Sequence, residues 1–251
     1  MATNRTSAGD PAHTLALLWR DGTLIPRRGP QRAFDLDAVV DAAIGLADEA
    51  DLAAVSIRRV AQAVGSSPMS LYTYLPGKAE LLDLMLDAVY LRMERPDTPG
   101  RAWRERLRTV AEANRVLYLA HPWAASLSTL RPPLGPGQMA KYEYELAALD
   151  GSGLSDVEID DCLTYLLTFV RASARDTLDA RGRPTSDQEW WDRAGPLLAR
   201  VLDPQAYPLA ARIGTAAGTE RASAHDPAQA YDFGLERTLD AIAALVDRRD
   251  R

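Results

Sequence analysis

Between Ser56 and Lys78 the chain gathers side chains that can hydrogen-bond a charged or polar surface, and it places no acid among them. Ser67, Ser70, Tyr72, Thr73 and Tyr74 supply hydroxyls, Ser56 another, Arg58 and Lys78 cations, and Met69 a polarisable apolar tip. On a helix that begins at Pro68, at about 100° per residue, Leu71 and Leu75 share one face and turn inward. Met69 and Thr73 then point roughly opposite, with Ser70, Tyr72 and Tyr74 on the flanks. Such a face suits the major groove of a duplex, where hydroxyls bond base edges or phosphates and a thioether meets a thymine methyl. Tyrosines, a lysine and a helix N-terminus can hold phosphate oxygens beside it. The same spacing also fits an ordinary helical hairpin with an exposed tyrosine pair.

Other chemistry is thinly represented. His13, His121 and His225 form no H-E-x-x-H spacing and no cluster with the single cysteine, Cys162, so neither a structural nor a catalytic metal is expected. No G-x-S-x-G, phosphate loop or dinucleotide fingerprint occurs, which leaves an enzyme without a nameable catalytic group and no cofactor expected. An apolar small-molecule pocket between helices is within reach of Trp103, Tyr118, Trp123, Met139, Tyr142, Tyr165 and Phe169, each equally explained by core packing. His121, ahead of a proline at a helix break, reads as a capping or packing residue before a ligand contact. Arg171 and Arg175, one turn apart, read as a solvated pair unless one faces inward toward an acidic ligand group.

Helices position all of these residues. Ser56 can cap a short helix over 57–63, Gly65 suits the turn that follows, and Ser67 with Pro68 opens the next helix. Two short helices across a glycine turn make a helix-turn-helix. Apolar residues recur every three or four positions from Leu36 to Ala47 and again from Lys78 to Met93. "PDTPG" at 96–100 marks a domain boundary. Beyond it come helices over about 101–120, 123–130 and 138–149. S-x-x-E capping boxes at Ser155 and Ser186 open helices to about Ala180 and Leu202, and Asp226 followed by Pro227 opens a last helix to about Asp247. No segment alternates with period two. The expected fold is all-α: a flexible extension at 1–33 around one apolar helix, a three-helix DNA-binding domain at 34–95, and a larger helical ligand-binding and dimerisation domain at 101–248.

Charge is segregated along the chain. The total is −6, which by itself argues against a nucleic-acid partner. Residues 52–78, however, hold Arg58, Arg59 and Lys78 and no acid, whereas 35–51 hold six acids and no base. One basic face toward a polyanion and an acidic face elsewhere fits that pattern. Arg27, Arg28 and Arg32 form a basic arm that reads equally as a solvated linker. No apolar run reaches the roughly 20 residues of a membrane span, and a lone cysteine without a secretory leader fits the cytoplasm.

Residues 34–82 closely resemble the DNA-binding domain of the TetR family of bacterial transcriptional repressors. Ala43, Ile44 and "SIRRVAQAVGSSPMSLYTYLPGKAELL" carry the resemblance. It implies DNA contacts for Ser56, Arg58, Ser67, Met69, Ser70, Tyr72, Thr73, Tyr74 and Lys78. Tyr72, Tyr74 and Lys78 would hold phosphates, Met69, Ser70 and Thr73 would meet bases, and Arg58 is the candidate for a guanine. More weakly, residues 101–248 resemble the C-terminal domain of the tetracycline-repressor branch through "HPWAASLSTLRPPLG" and the helices after "GLSDVEID". That branch's drug-responsive member holds magnesium–tetracycline with a histidine just ahead of the arginine–proline corner. "SLSTLRP" has none, so the expected effector is a different, largely apolar small molecule.

A single recognition helix buries too little surface for tight, specific binding, so a homodimer reading a palindrome with half-sites about 34 Å apart, or a multiple of that, is expected. The helices near 156–180 and 227–247 would form a four-helix bundle with their mates, through Tyr231, Leu235, Leu239, Ile242 and Leu245. The monomer's own core competes for that stripe. The helix from Lys78 to Met93, joining the domains, would carry the ligand signal. An all-α enzyme for a hydrophobic substrate and an interaction module without operator binding are the alternatives.

Overall fold

The computed structural model describes residues 5–21, 35–127 and 131–249, which are helical with no strand. The basic arm of Arg27, Arg28 and Arg32 and residues 128–130 of the arginine–proline corner lie outside the described residues. The N-terminal part runs α1 (Pro11–Leu18), α2 (Leu36–Ala50), α3 (Ile57–Ala63), α4 (Pro68–Tyr72) and α5 (Lys78–Arg92). The rest runs α6 (Trp103–Ala120), α7 (Pro122–Ser126), α8 (Pro136–Leu146), α9 (Asp156–Arg181), α10 (Asp187–Val201), α11 (Pro208–Arg221) and α12 (Pro227–Arg249). Among the described residues no helix is long and apolar enough to cross a membrane, and no group of three acids, histidines or cysteines could hold a metal.

In the head, which α2, α3 and α4 form, each helix begins where a side chain accepts its first unpaired amides. Asp35 accepts from the Asp37 and Ala38 amides, Ser56 Oγ from Arg59 N, and Ser67 Oγ from Ser70 N. Gly65 sits at φ +66° between α3 and α4, a left-handed turn that costs glycine no Cβ clash. The α4 backbone closes at Tyr72, yet Leu75 N still donates to Leu71 O at 2.7 Å, so the helical sense carries Leu75 round to the core. Leu71 and Leu75 are both fully buried.

Helix α5 runs between head and body, packed on α1, α2 and α8. Enclosure on several sides replaces the one-sided stripe expected of it, and Glu80, Asp83 and Asp87 are buried along with Leu81, Leu82, Leu84 and Leu86. Backbone amides meet two of these carboxylates. Asp87 caps α8, accepting from Gly137 N at 3.1 Å and Gln138 N at 2.8 Å. Asp83 Oδ1 accepts from Ser7 N at 2.8 Å, while its Oδ2 is buried without a partner.

Burial, helped by Glu80 and Asp87, raises the Asp83 pKa to about 6 against the pull of the Ser7 amide. The unfolded chain binds that proton less tightly, near the ordinary value of 3.8. Stability is therefore fullest below about pH 4 and falls by about 1–3 kcal/mol as pH rises from there through 6. Asp83→Asn should accordingly be more stable than wild type near pH 8, by about 1–3 kcal/mol, with little difference near pH 4. Urea unfolding at both pH values checks this, and equal differences at the two would contradict it.

Upstream of the head, the apolar helix expected within the extension is present as α1, which buries Leu17 and Leu18 and is capped by Asp10. The segment around it, residues 6–19, ties to the loop after α7 and to the head. Thr6 Oγ1 donates to Arg131 O at 2.5 Å, Ser7 Oγ to Pro132 O at 3.2 Å, and Trp19 Nε1 to Leu134 O at 2.8 Å. His13 Nε2 lies 3.4 Å from the Tyr74 carbonyl oxygen. Asp48 of α2 accepts from Trp123 Nε1 at 2.7 Å and lies 2.9 Å from His121 Nδ1.

In the body, α6 and α12 pack on α9, and the expected capping boxes open α9 and α10. Cys162 is buried, and burial pushes its thiol pKa up, as a packing residue requires. The stripe on α12 departs from its expected role as a dimer seam. Tyr231, Leu235, Leu239 and Ile242 are buried within the monomer, and Leu245 is half-buried against the same core. Helix α11 is absent from the sequence reading for a physical reason. It buries only Gly218, so no apolar stripe marks it, and Gly214 and Gly218 weaken its local signal.

Candidate functional site

Two sites emerge, one on the head and one in the body. On the head, α4 presents an outward face over its buried leucines. Met69 is 75% exposed and Tyr72 50%, and Ser67, Ser70 and Thr73 are exposed beside them. Ser67 Oγ and Ser70 Oγ lie 2.8 Å apart, and Thr73 Oγ1 donates to Met69 O at 3.1 Å. Arg58 on α3 is exposed, Ser56 and Tyr74 are half-buried, and α3 packs directly on α4.

Lys78 opens α5 at the edge of this surface. Its Nζ donates to Leu52 O at 2.6 Å, and partial burial lowers its pKa while Asp51 opposes the shift. The bond secures the start of α5 to the loop before α3. An ammonium has three N–H groups, so two remain for another acceptor. Sequence reasoning did not foresee this structural duty, because a carbonyl partner 26 residues away has no local signature.

In the body, a cavity of about 530 Å³ opens between α5, α6, α8 and α9. Of the ten residues singled out from sequence, Tyr118, Met139, Tyr142 and Arg171 line it. The others do not. Phe169 stacks on Tyr231 at 5.8 Å, Tyr165 is exposed, and Trp103 packs against the core. His121 and Trp123 hold Asp48, and Arg175 lines a shallow cleft beside that junction.

The cavity's remaining lining includes Tyr90, Leu134, Lys141, Glu145, Leu163 and Leu167, which sequence reasoning missed. Lys141 and Glu145 escaped because a Lys–Glu pair one turn apart ordinarily marks a solvated helix face. On α8 it marks the buried one: Gly137, Lys141 and Glu145, spaced by four, are the residues that α8 buries. Lys141 Nζ donates to Glu145 Oε1 at 2.6 Å and sits 5.1 Å from the Tyr90 ring centre. Asn114 Nδ2 donates to the same Oε1 at 2.6 Å. Tyr90, wholly buried and hydrogen-bonded to Tyr118, has its hydroxyl pKa pushed well up by desolvation, so it stays neutral. The chamber thus combines an apolar wall with a buried polar end, the usual make-up of a small-molecule site.

Hydrogen bonds connect the elements around the two sites. Helix α8, which forms one wall, is capped by Asp87 of α5, and the loop bearing Pro132 and Leu134 is tied to the N-terminal segment that also reaches Tyr74.

Comparison with known proteins places this architecture. Residues 39–85 match the family described as bacterial regulatory proteins, tetR family, and residues 95–246 match the tetracyclin repressor-like C-terminal domain. The HTH-type transcriptional repressor DrrR1 of Streptomyces coeruleorubidus is 38% identical over 253 residues, spanning 99% of this chain and 91% of that protein. Among solved structures, apo ActR from Streptomyces coelicolor superposes with a TM-score of 0.72 at 29% identity, covering 87% of this chain and 99% of ActR. ActR in complex with actinorhodin gives 0.69 at 28% identity, covering 85% and 97%. The family matches together take in more than half of the chain, and one falls on each site: the chain belongs to the TetR family of bacterial transcriptional regulators.

Proposed function

We propose that the chain is a repressor that binds an inverted repeat in double-stranded DNA as a homodimer and leaves it when a small molecule fills the cavity. One observation carries this reading: Met69, Ser70, Tyr72 and Thr73 stand outward over the fully buried Leu71 and Leu75, on a helix with no acid to repel phosphate. Met69, Ser70 and Thr73 meet bases, Tyr72, Tyr74 and Lys78 hold phosphates, and Arg58 reaches a guanine. Ser56 and Ser67 lend their helix starts, whose amides face the backbone. The name of DrrR1 supports repression, and the ActR complexes with actinorhodin and (S)-DNPA support a small-molecule effector. The protein acts as a regulator with no catalytic step, needs no metal, and works in the cytoplasm, where its DNA is.

Dimerisation uses the outward faces of α9 and α12, because the α12 stripe is occupied inside the monomer. Tyr165 and Phe233 are exposed on those faces, and both helices are long enough for a bundle with their mates. The effector signal travels through α5. A ligand that moves α8 pulls on Asp87, and α5 then shifts the head and the spacing of the two α4 helices. A coupling of about 1–3 kcal/mol would change operator affinity roughly 5- to 150-fold.

The operator experiment uses Lys78→Ala and Tyr72→Phe. Lys78→Ala removes one phosphate contact per protomer, so the slope of log affinity against log salt should become shallower by about two for the dimer. Tyr72→Phe deletes one exposed hydroxyl and should weaken binding by about fivefold per half-site without changing the fold. Unchanged affinity and slope in both variants would overturn the DNA-contact assignment.

A further inference from the structure

The polar end of the cavity makes a demand that its size does not. Lys141 is 3% exposed and Glu145 1%, and both line the cavity. Glu145 Oε1 already accepts from Lys141 and from Asn114, each at 2.6 Å. Its Oε2 carries no hydrogen bond among the described residues, and Lys141 places only one of its three N–H groups on a protein oxygen. Buried charges with unused valences are costly unless a further partner completes them. Water can do so while the cavity is empty, and a ligand that displaces the water must replace it twice. It needs an acceptor for Lys141 and, within a few ångströms, a donor for Glu145.

Net charge narrows the choice. The pair is neutral as a whole, and so are the other two charged lining residues taken together, Asp160 and Arg171, so at the polar end a cationic ligand meets Lys141 and an anionic one meets Glu145, each next to a like charge. A neutral molecule that carries an accepting and a donating oxygen on adjacent atoms satisfies both residues without either penalty. Tyr90, Tyr118, Leu163 and Leu167 supply apolar walls around it. We infer that the effector is a neutral hydroxy-carbonyl compound on an apolar frame, its carbonyl oxygen accepting from Lys141 Nζ and its hydroxyl donating to Glu145 Oε2. This inference rests on the cavity being the effector site.

A matched series of probes tests it: benzoin, deoxybenzoin (the hydroxyl removed) and 1,2-diphenylethane (both oxygens removed), titrated into the full-length protein by calorimetry. Each deletion strands a buried polar group, so affinity should fall by about tenfold or more at each step. Lys141→Met alone would leave the buried Glu145 with Asn114 but without its counter-charge, a change that destabilises the body. The comparison variant is therefore Lys141→Met/Glu145→Gln, which removes both charges together, its folding checked by circular dichroism. In that variant the three probes should bind within about threefold of one another. Equal binding of the probes to wild type, no binding of any of them, or a ranking that survives in the double variant would overturn the ligand class. The underlying reading fails separately: a correct ranking with no loss of operator affinity at probe saturation would leave the ligand class standing and remove the cavity from regulation.

Discussion

Ser70→Asp is expected to weaken operator binding by at least about 100-fold while leaving the thermal midpoint of the protein unchanged. The two halves of that expectation come from different parts of the residue's setting. Ser70 is exposed in the first turn of α4, where Ser67 Oγ accepts from its amide. A carboxylate there lies close to the positive end of the helix and is locally tolerated. Toward DNA the same carboxylate faces a polyanion at the position where a base edge is to be read, and the dimer presents it twice. Like charges brought together at an interface cost several kcal/mol, which is the source of the 100-fold figure. Ser70→Ala separates charge from hydrogen bonding, since it removes one hydroxyl and should cost about tenfold or less. Fluorescence anisotropy on an operator duplex, with differential scanning calorimetry alongside, reads both quantities. Operator affinity within about threefold of wild type would remove α4 from the DNA-facing surface.

The largest stability effect is expected at Gly137. A Cβ there would lie 1.9 Å from the Asp87 carbonyl oxygen and 2.9 Å from Leu91 N. Both are backbone atoms of α5, which cannot swing aside as a side chain can. Gly137→Ala must therefore separate α8 from α5, and that separation also strips Asp87 of the two amides it caps. Overpacking against backbone and loss of two charge-assisted hydrogen bonds act in the same direction, for a cost of about 3 kcal/mol or more. In a chain of this length the thermal midpoint should fall by about 10 °C. Hydrogen exchange should quicken at the start of α8 and along the facing turns of α5. A midpoint within about 2 °C of wild type would mean that the two helices are not held as closely as described.

The head was the most legible part of the sequence, and the reason is local. Ser56, Gly65, Ser67 and Pro68 act within four residues of their own position, and Leu71 and Leu75 declare the inward face of α4 by spacing alone. The capping boxes at Ser155 and Ser186 were legible on the same grounds. Residues whose partners lie far along the chain were not. The duty of Lys78 toward Leu52, the hold of Trp123 on Asp48, and the strap from Thr6 to Trp19 across the body all depend on contacts with no local pattern.

The cavity was half legible for a related reason. Aromatic and methionine side chains advertise apolar walls, so Tyr118, Met139 and Tyr142 could be nominated. Lys141 and Glu145 use residue types that composition assigns to solvent, and only the close approach of α8 to α5 at Gly137 turns them inward. The α12 stripe was read correctly as apolar, but a stripe does not say which surface covers it. Here the monomer's own core does.

The most direct test is selection of bound fragments from a genomic DNA library by the full-length protein, followed by footprinting of the enriched sequences. An inverted repeat should be recovered, its half-sites separated by about 34 Å or a multiple of that distance, with protection lost in Ser70→Asp. Recovery of no sequence above the input, or of a single unrepeated site whose protection survives Ser70→Asp, would contradict the account.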